Sequence, residues 1–186
     1  MRFFYDTEFI DTGQAIEFVS IGAISDDGHK YYAVNRNIPW ERLASGEPWA
    51  VWLKENVWPK LPLSSPGSLS INIHHPDVKS KSLIAEEFSA FIRKNSDSKQ
   101  NELWADWPSY DHVVLAQLYG RMMDLPPHIP KRTNCLTQLA EDWGIDIQKA
   151  PTQMPGTEHH ALEDAMYDRV IFNWIRKQAT HGRIRI

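Results

Sequence analysis

Residues 3–8 read FFYDTE, and the fold turns on whether this short, apolar-rich run is a strand. Two similar runs follow it closely. Residues 15–25, AIEFVSIGAIS, alternate imperfectly and are rich in β-branched side chains, and residues 30–34, KYYAV, come after the turn signal Asp26-Asp27-Gly28. Strands joined by such short connections are most economically an antiparallel meander. Residues two apart in a strand share a face, so Asp6 and Glu8 point the same way. A strand that begins an apolar core carries two carboxylates on one face only with compensation. Their repulsion and desolvation raise a pKa or call for a cation. Taken alone, an edge strand with a wet polar face explains the pair more simply.

Beyond the meander, residues 49–60 (WAVWLKENVWPK) place Trp49, Trp52, Leu53 and Val57 at helical spacing, with Pro59 and Pro62 as the stop. Residues 61–82 are rich in Pro, Ser, Gly and His and read as a long connection. A serine-capped amphipathic helix is expected over 82–94, a short strand over 102–106, and helices over 110–123, 136–143 (stopped by Gly144) and 161–178. Strands first, then helices interleaved with at least one more strand, give an α/β fold: a mixed sheet with helices packed on it.

The chain has 186 residues, 42% of them apolar and 24% charged, which suits a single domain over 1–186 with a substantial core. One cysteine, Cys135, excludes an intramolecular disulfide and a Cys-based zinc cluster. Asp6 and Glu8 interrupt the opening apolar run, so it is no signal peptide, and no stretch is long and apolar enough to span a bilayer. A cytoplasmic protein with no membrane partner is expected. The net charge of −4 argues against broad phosphate neutralisation, but cations held by clustered acids would add positive charge that the count omits. Residues 176–186, RKQATHGRIRI, form a basic tail that either recruits phosphates or is simply solvated.

Two further acids complete the pattern. In LWADWPSYDHVVL (residues 103–115), a strand ends near Asp106 and a helix begins near Tyr110, which puts Asp111 in a first helical turn that favours an acid. In EHHALEDAMYD (residues 158–168), Asp164 projects from the start of the last helix. His159, five residues earlier, would sit roughly 140° away on a regular helix at about 100° per residue, so it belongs to the preceding loop. His160 and Asp168 would share the Asp164 face, and spacing alone chooses neither between the histidines nor between the aspartates.

Together these pieces resemble the DEDDh exonucleases, which include the proofreading subunit of bacterial replicative DNA polymerase, oligoribonuclease and RNase T. The matching residues are Asp6-Thr7-Glu8-Phe9, Tyr110-Asp111 and the run from His159 to Ala165, which fits the family's H-x-A-L-x-D-A and selects His159 over His160. The motifs come in family order and span nearly the whole chain. The opening FFYDTEFID and the LWA…YDHVVL phrase are closer still to the bacterial ribonuclease AS group, the polyadenylate-specific 3'-exoribonucleases. The resemblance implies an RNase H-like sheet and a 3'→5' exoribonuclease acting on RNA 3' ends, adenylate-rich ones among them. Many relatives carry an Asn where Asp106 or Trp107 stands, and the same phrase resembles phage-type and recombination exonucleases that degrade DNA. A DNA 3'→5' exonuclease is therefore the alternative enzyme. Relatives often pair, so a homodimer is expected.

The chemistry implied is metal-assisted phosphodiester hydrolysis. Two divalent cations about 3.5–4 Å apart generate a hydroxide and steady the leaving 3'-oxygen. Asp6, Glu8, Asp111 and Asp164 would hold them, and all-oxygen ligands suit Mg2+ or Mn2+. Neutral His159 would deprotonate the attacking water near neutral pH. Phe9, next to the metal strand, would wedge or stack on the terminal base, and Trp104 or Trp107 beside Asp111 would contact substrate. Five further tryptophans, Trp49, Trp52, Trp58, Trp143 and Trp174, read as core, and His74 and His75 as surface. Two non-enzymatic readings compete: a silent nucleic-acid-binding module, which would have no reason to keep four mutually repelling acids, and an interaction domain in which the acids are incidental.

Overall fold

The computed structural model describes residues 1–96 and 100–182, the last two without their side chains. The chain runs β1 (Arg2–Asp11), β2 (Ile16–Ser25), β3 (Lys30–Asn35), α1 (Pro48–Asn56), β4 (Val78–Lys79), α2 (Lys81–Lys94), β5 (Glu102–Ala105), α3 (Ser109–Gln117), β6 (Asn134–Cys135), α4 (Leu136–Asp142) and α5 (Ala161–Gly182). The sheet order is β4-β3-β2-β1-β5-β6. The first three strands form the expected antiparallel meander, while β4, β5 and β6 each pair in parallel with their neighbour. Between β4 at one edge of the sheet and β5 beyond β1, the chain crosses the sheet through α2. The result is an α/β fold consistent with an RNase H-like architecture.

Several boundaries differ from expectation. The second long helix starts earlier, capped by Ser80, whose hydroxyl accepts the Leu83 N–H. The helix expected over 110–123 ends at Gln117, because Gly120 takes a left-handed backbone (φ +108°) just beyond it. The connection 61–82 contains β4, and β6 was not foreseen. Gly144, at φ +64°, closes α4 as expected. No helix among the described residues is long and apolar enough to cross a membrane. Of the basic tail, residues 176–182 extend α5, and the remainder lies outside the described residues.

Alternation in β1 divides the core. Phe3 and Tyr5 face α2 and α3, where they meet Phe88, Phe91, Ile92 and Leu115. On the opposite face Phe4 packs under α4 and α5 with Phe172 and Ile175, while Ile10 joins a separate cluster with Leu43, Leu53 and Trp58. Each such fully buried side chain contributes roughly 1.5–3 kcal/mol. Asp6 and Glu8 lie on this second face, between the two apolar clusters. Trp58 is buried as expected, and Trp49 and Trp174 are partly so, but Trp52 and Trp143 are 46% and 44% exposed.

Candidate active site

The face of β1 fixes two carboxylates, and a glycine brings in the third. Asp6 pairs with Gly22 and Glu8 with Ser20 across the β1–β2 ladder. Gly22 leaves room for the start of α5 to rest directly on the strand. A Cβ built there would fall 2.1 Å from the Leu162 backbone nitrogen. Seated this way, α5 projects Asp164 onto Asp6 and Glu8, and the ligand oxygens of all three lie within 4.8 Å of one another.

Asp111 lies outside this three-acid group, yet near enough for its charge to raise both Asp6 and Glu8. It lies in the first turn of α3, buried, and its Oδ1 accepts hydrogen bonds from Thr7 N–H at 2.9 Å and Thr7 Oγ1 at 2.6 Å. Thr7 lies past the last β1–β5 pair, Phe4 with Trp104, so its amide is available to a side chain. Burial pushes Asp111 up to about 6 against the pull of the Thr7 hydrogen bonds. Burial, followed by the charges of Asp164 and Asp111, pushes Glu8 to about 8. Asp6 is raised well above the usual carboxylate range by burial and then by Asp111, Glu8 and Asp164. Asp164 is also raised by burial, opposed by a hydrogen bond from Gln153 Nε2 at 2.5 Å and by the neighbouring histidines. Among the described residues no lysine or arginine forms an ion pair with any of the four.

The two histidines separate sharply. Both precede α5. His159 holds a left-handed backbone (φ +63°), a strained state for a non-glycine residue, and its half-buried ring meets the exposed Trp52 edge-on at 4.8 Å. His160 is stacked on Tyr32 at 4.4 Å and 24°, and its backbone carbonyl accepts the Asp164 N–H. One imidazole is built into the wall, and the other stands on a loop beside Asp164.

Residues 1–176 match the family described as the 3'-5' exoribonuclease Rv2179c-like domain. The chain belongs to this family. It is similar to two Mycobacterium tuberculosis proteins, "3'-5' exoribonuclease MT2234.1" of strain CDC 1551 / Oshkosh and "3'-5' exoribonuclease Rv2179c" of strain ATCC 25618 / H37Rv. Each is 41% identical over 183 residues, covering 98% of either chain. Membership places the chain among enzymes that hydrolyse phosphodiester bonds, and a convergence of bare carboxylates is chemistry such enzymes can use.

Of the remaining residues singled out by sequence, some lie beside the acids and some away from them. Phe9 is on the Thr7 face of β1, edge-to-face with Tyr110 at 5.8 Å and next to Asp111. Trp107 is 74% exposed at φ +49°, on the rim of a pocket of about 390 Å³ that Asp106, Thr137, Tyr167 and Asp168 also line. Trp104 instead packs on Phe172 and donates to Glu102. Asp168 lies one turn beyond Asp164 but accepts the Asp106 N–H at 3.1 Å, outside the three-acid group. His74 is exposed, and half-buried His75 pairs with Asp77. Sequence reasoning missed Thr7 as the anchor of Asp111 and Gln153 as the partner of Asp164. Thr7 was visible only as a spacer, and a lone Gln in a Pro-rich segment carries no pattern.

Proposed function

We propose that this chain is a 3'→5' exoribonuclease of the DEDDh type, akin to the ribonuclease AS group. Asp6, Glu8, Asp111 and Asp164 would hold two Mg2+ or Mn2+ ions, and His159 would serve as general base. The observation that carries this reading is the convergence of Asp6 and Glu8 on β1 with Asp164 on α5 to within 4.8 Å. The donor set fits a hard divalent cation, being all carboxylate oxygen, desolvated and, among the described residues, without a lysine or arginine ion pair. When bound, such ions supply charge neutralisation at the scissile phosphate and lower the pKa of the attacking water.

The chain's own side chains do the rest. Thr7 holds Asp111 by two hydrogen bonds and so fixes its rotamer. His159, mounted on the loop with Trp52 against its ring, takes the proton of the attacking water. Phe9 and Tyr110 present aromatic surface next to Asp111 for the terminal base. The family and the activity for which both relatives are named favour RNA over DNA as substrate. Cytoplasmic RNA 3' ends are the proposed target, and two copies of the chain are proposed to pair.

The test is direct. RNA and DNA oligonucleotides labelled at either end are incubated with the protein and Mn2+. Stepwise shortening from the 3' end of RNA, much faster than of DNA, is the expected result. Intact RNA, or release of single nucleotides from the 5' end, overturns the proposal.

A further inference from the structure

Beside Glu8 the sheet buries two hydroxyls, those of Ser20 and Tyr32, that complete no well-formed hydrogen bond among the described residues. Ser20 stands directly opposite Glu8 in the β1–β2 ladder and is fully buried. Tyr32 pairs with Gly22 in the β2–β3 ladder, on the same face of the sheet as Ser20 and Glu8. Burial raises the Tyr32 phenol above its ordinary range, opposed by a weak interaction with Ser20 Oγ, and neither hydroxyl completes a well-formed hydrogen bond. The Glu8 charge also bears on the Tyr32 phenol. His160 stacks on the Tyr32 ring and fixes its place.

Two buried hydroxyls without a well-formed hydrogen bond beside a carboxylate are unusual in a core, because buried polar groups are almost always hydrogen-bonded. The pairing becomes intelligible if Glu8 is a metal ligand. Ligating carboxylates are typically held from behind by hydrogen-bond donors, which set the direction of their lone pairs. Ser and Tyr each offer one O–H donor, and a carboxylate can accept several.

We propose that Ser20 and Tyr32 are positioning residues for Glu8, donating hydrogen bonds to the back of its carboxylate when its front is engaged by a divalent cation. The proposal rests on the metal-dependent reading of the site given above. It assigns the two hydroxyls no contact with substrate. Cation binding at the front of Glu8 would draw the three side chains into one network.

The experiment is titration calorimetry of the whole protein with Mn2+ alone, without RNA, for wild type, Tyr32→Phe, Ser20→Ala and the double variant, with Asp6→Asn as control. Thermal melts without metal are run in parallel. Loss of a group that orients a ligand typically weakens metal binding about 10–100-fold, and that is the expected range for Tyr32→Phe and the double variant. Their metal-free melting temperatures should stay the same or rise, since an unpartnered hydroxyl is removed. Restoring the hydroxyl by Ser20→Thr should keep affinity near wild type. A merely structural role gives the opposite signature: a lower melting temperature with unchanged Mn2+ affinity. Wild-type affinity in a folded Tyr32→Phe and Ser20→Ala pair overturns this proposal alone. If wild type binds no Mn2+, or binds it as well after Asp6→Asn, the metal reading itself fails, and the proposal with it.

Discussion

Gly22 lies across the ladder from Asp6, and the backbone of Leu162 rests where a Gly22 side chain would be. This contact decides where α5 sits and therefore where Asp164 points. Gly22→Ala must push the helix start off the sheet, an overpacking of the kind that costs about 1–3 kcal/mol or more. Expected outcomes are a clear loss of stability in urea denaturation and Mn2+ affinity reduced beyond what stability alone explains. Wild-type Mn2+ affinity in a folded Gly22→Ala protein would show that the helix position does not build the site.

Stability without metal should fall as pH rises. Glu8 and Asp111 have folded pKa values raised from 4.5 to about 8 and from 3.8 to about 6. A carboxyl whose folded pKa is raised binds a proton more tightly in the native state, so its contribution is favourable at low pH. That contribution is lost as pH climbs through the folded value. The window runs from about pH 4 to about 8, and Glu8→Gln should flatten its upper part. Urea midpoints at pH 5 and pH 8.5, with EDTA present, read the effect.

Divalent cation should reverse that loss. A ligand at a hundred times its dissociation constant stabilises by about 2.7 kcal/mol, and a protein of this size shifts roughly 2–4 °C per kcal/mol, so a rise of about 5–10 °C is expected. Calorimetric melts with Mn2+ and with EDTA measure it. Asp6→Asn and Asp164→Asn should abolish the shift. An unchanged shift in both would place the ions elsewhere.

The histidines should divide function from structure. His159→Ala should lower turnover about 10²–10⁴-fold while Mn2+ affinity and melting temperature hold. His160→Ala should instead cost stability, since its stack on Tyr32 is worth about 0.5–1.5 kcal/mol beyond burial. Single-turnover rates and melts on both variants make the comparison. Full activity in His159→Ala would transfer the proposed role to another group.

What the sequence made legible follows from periodicity. Alternation placed Asp6 and Glu8 on one face, and the 3.6-residue repeat placed Asp164 early in a long helix, because both patterns extend over many residues. Strands β4 and β6 have two residues each, too few to show any period. Ser80 and Ser82 are the same residue type two apart, and only the backbone distinguishes the cap. Trp52 fits an apolar helical stripe, yet it faces outward where a distant loop brings His159 against it, a contact between remote segments that no local window contains. The anchoring of Asp111 by Thr7 is of the same long-range kind.

Asp164 belongs to the final helix, whereas Asp6, Glu8 and Asp111 precede it. Chains fold from the N-terminus as they are synthesised. A nascent polypeptide that has emerged only through α4 already presents its meander, but it lacks both the closing acid and His159. On the proposed function, the enzyme is born inert and becomes competent to degrade transcripts only once α5 has been synthesised and seated on the sheet.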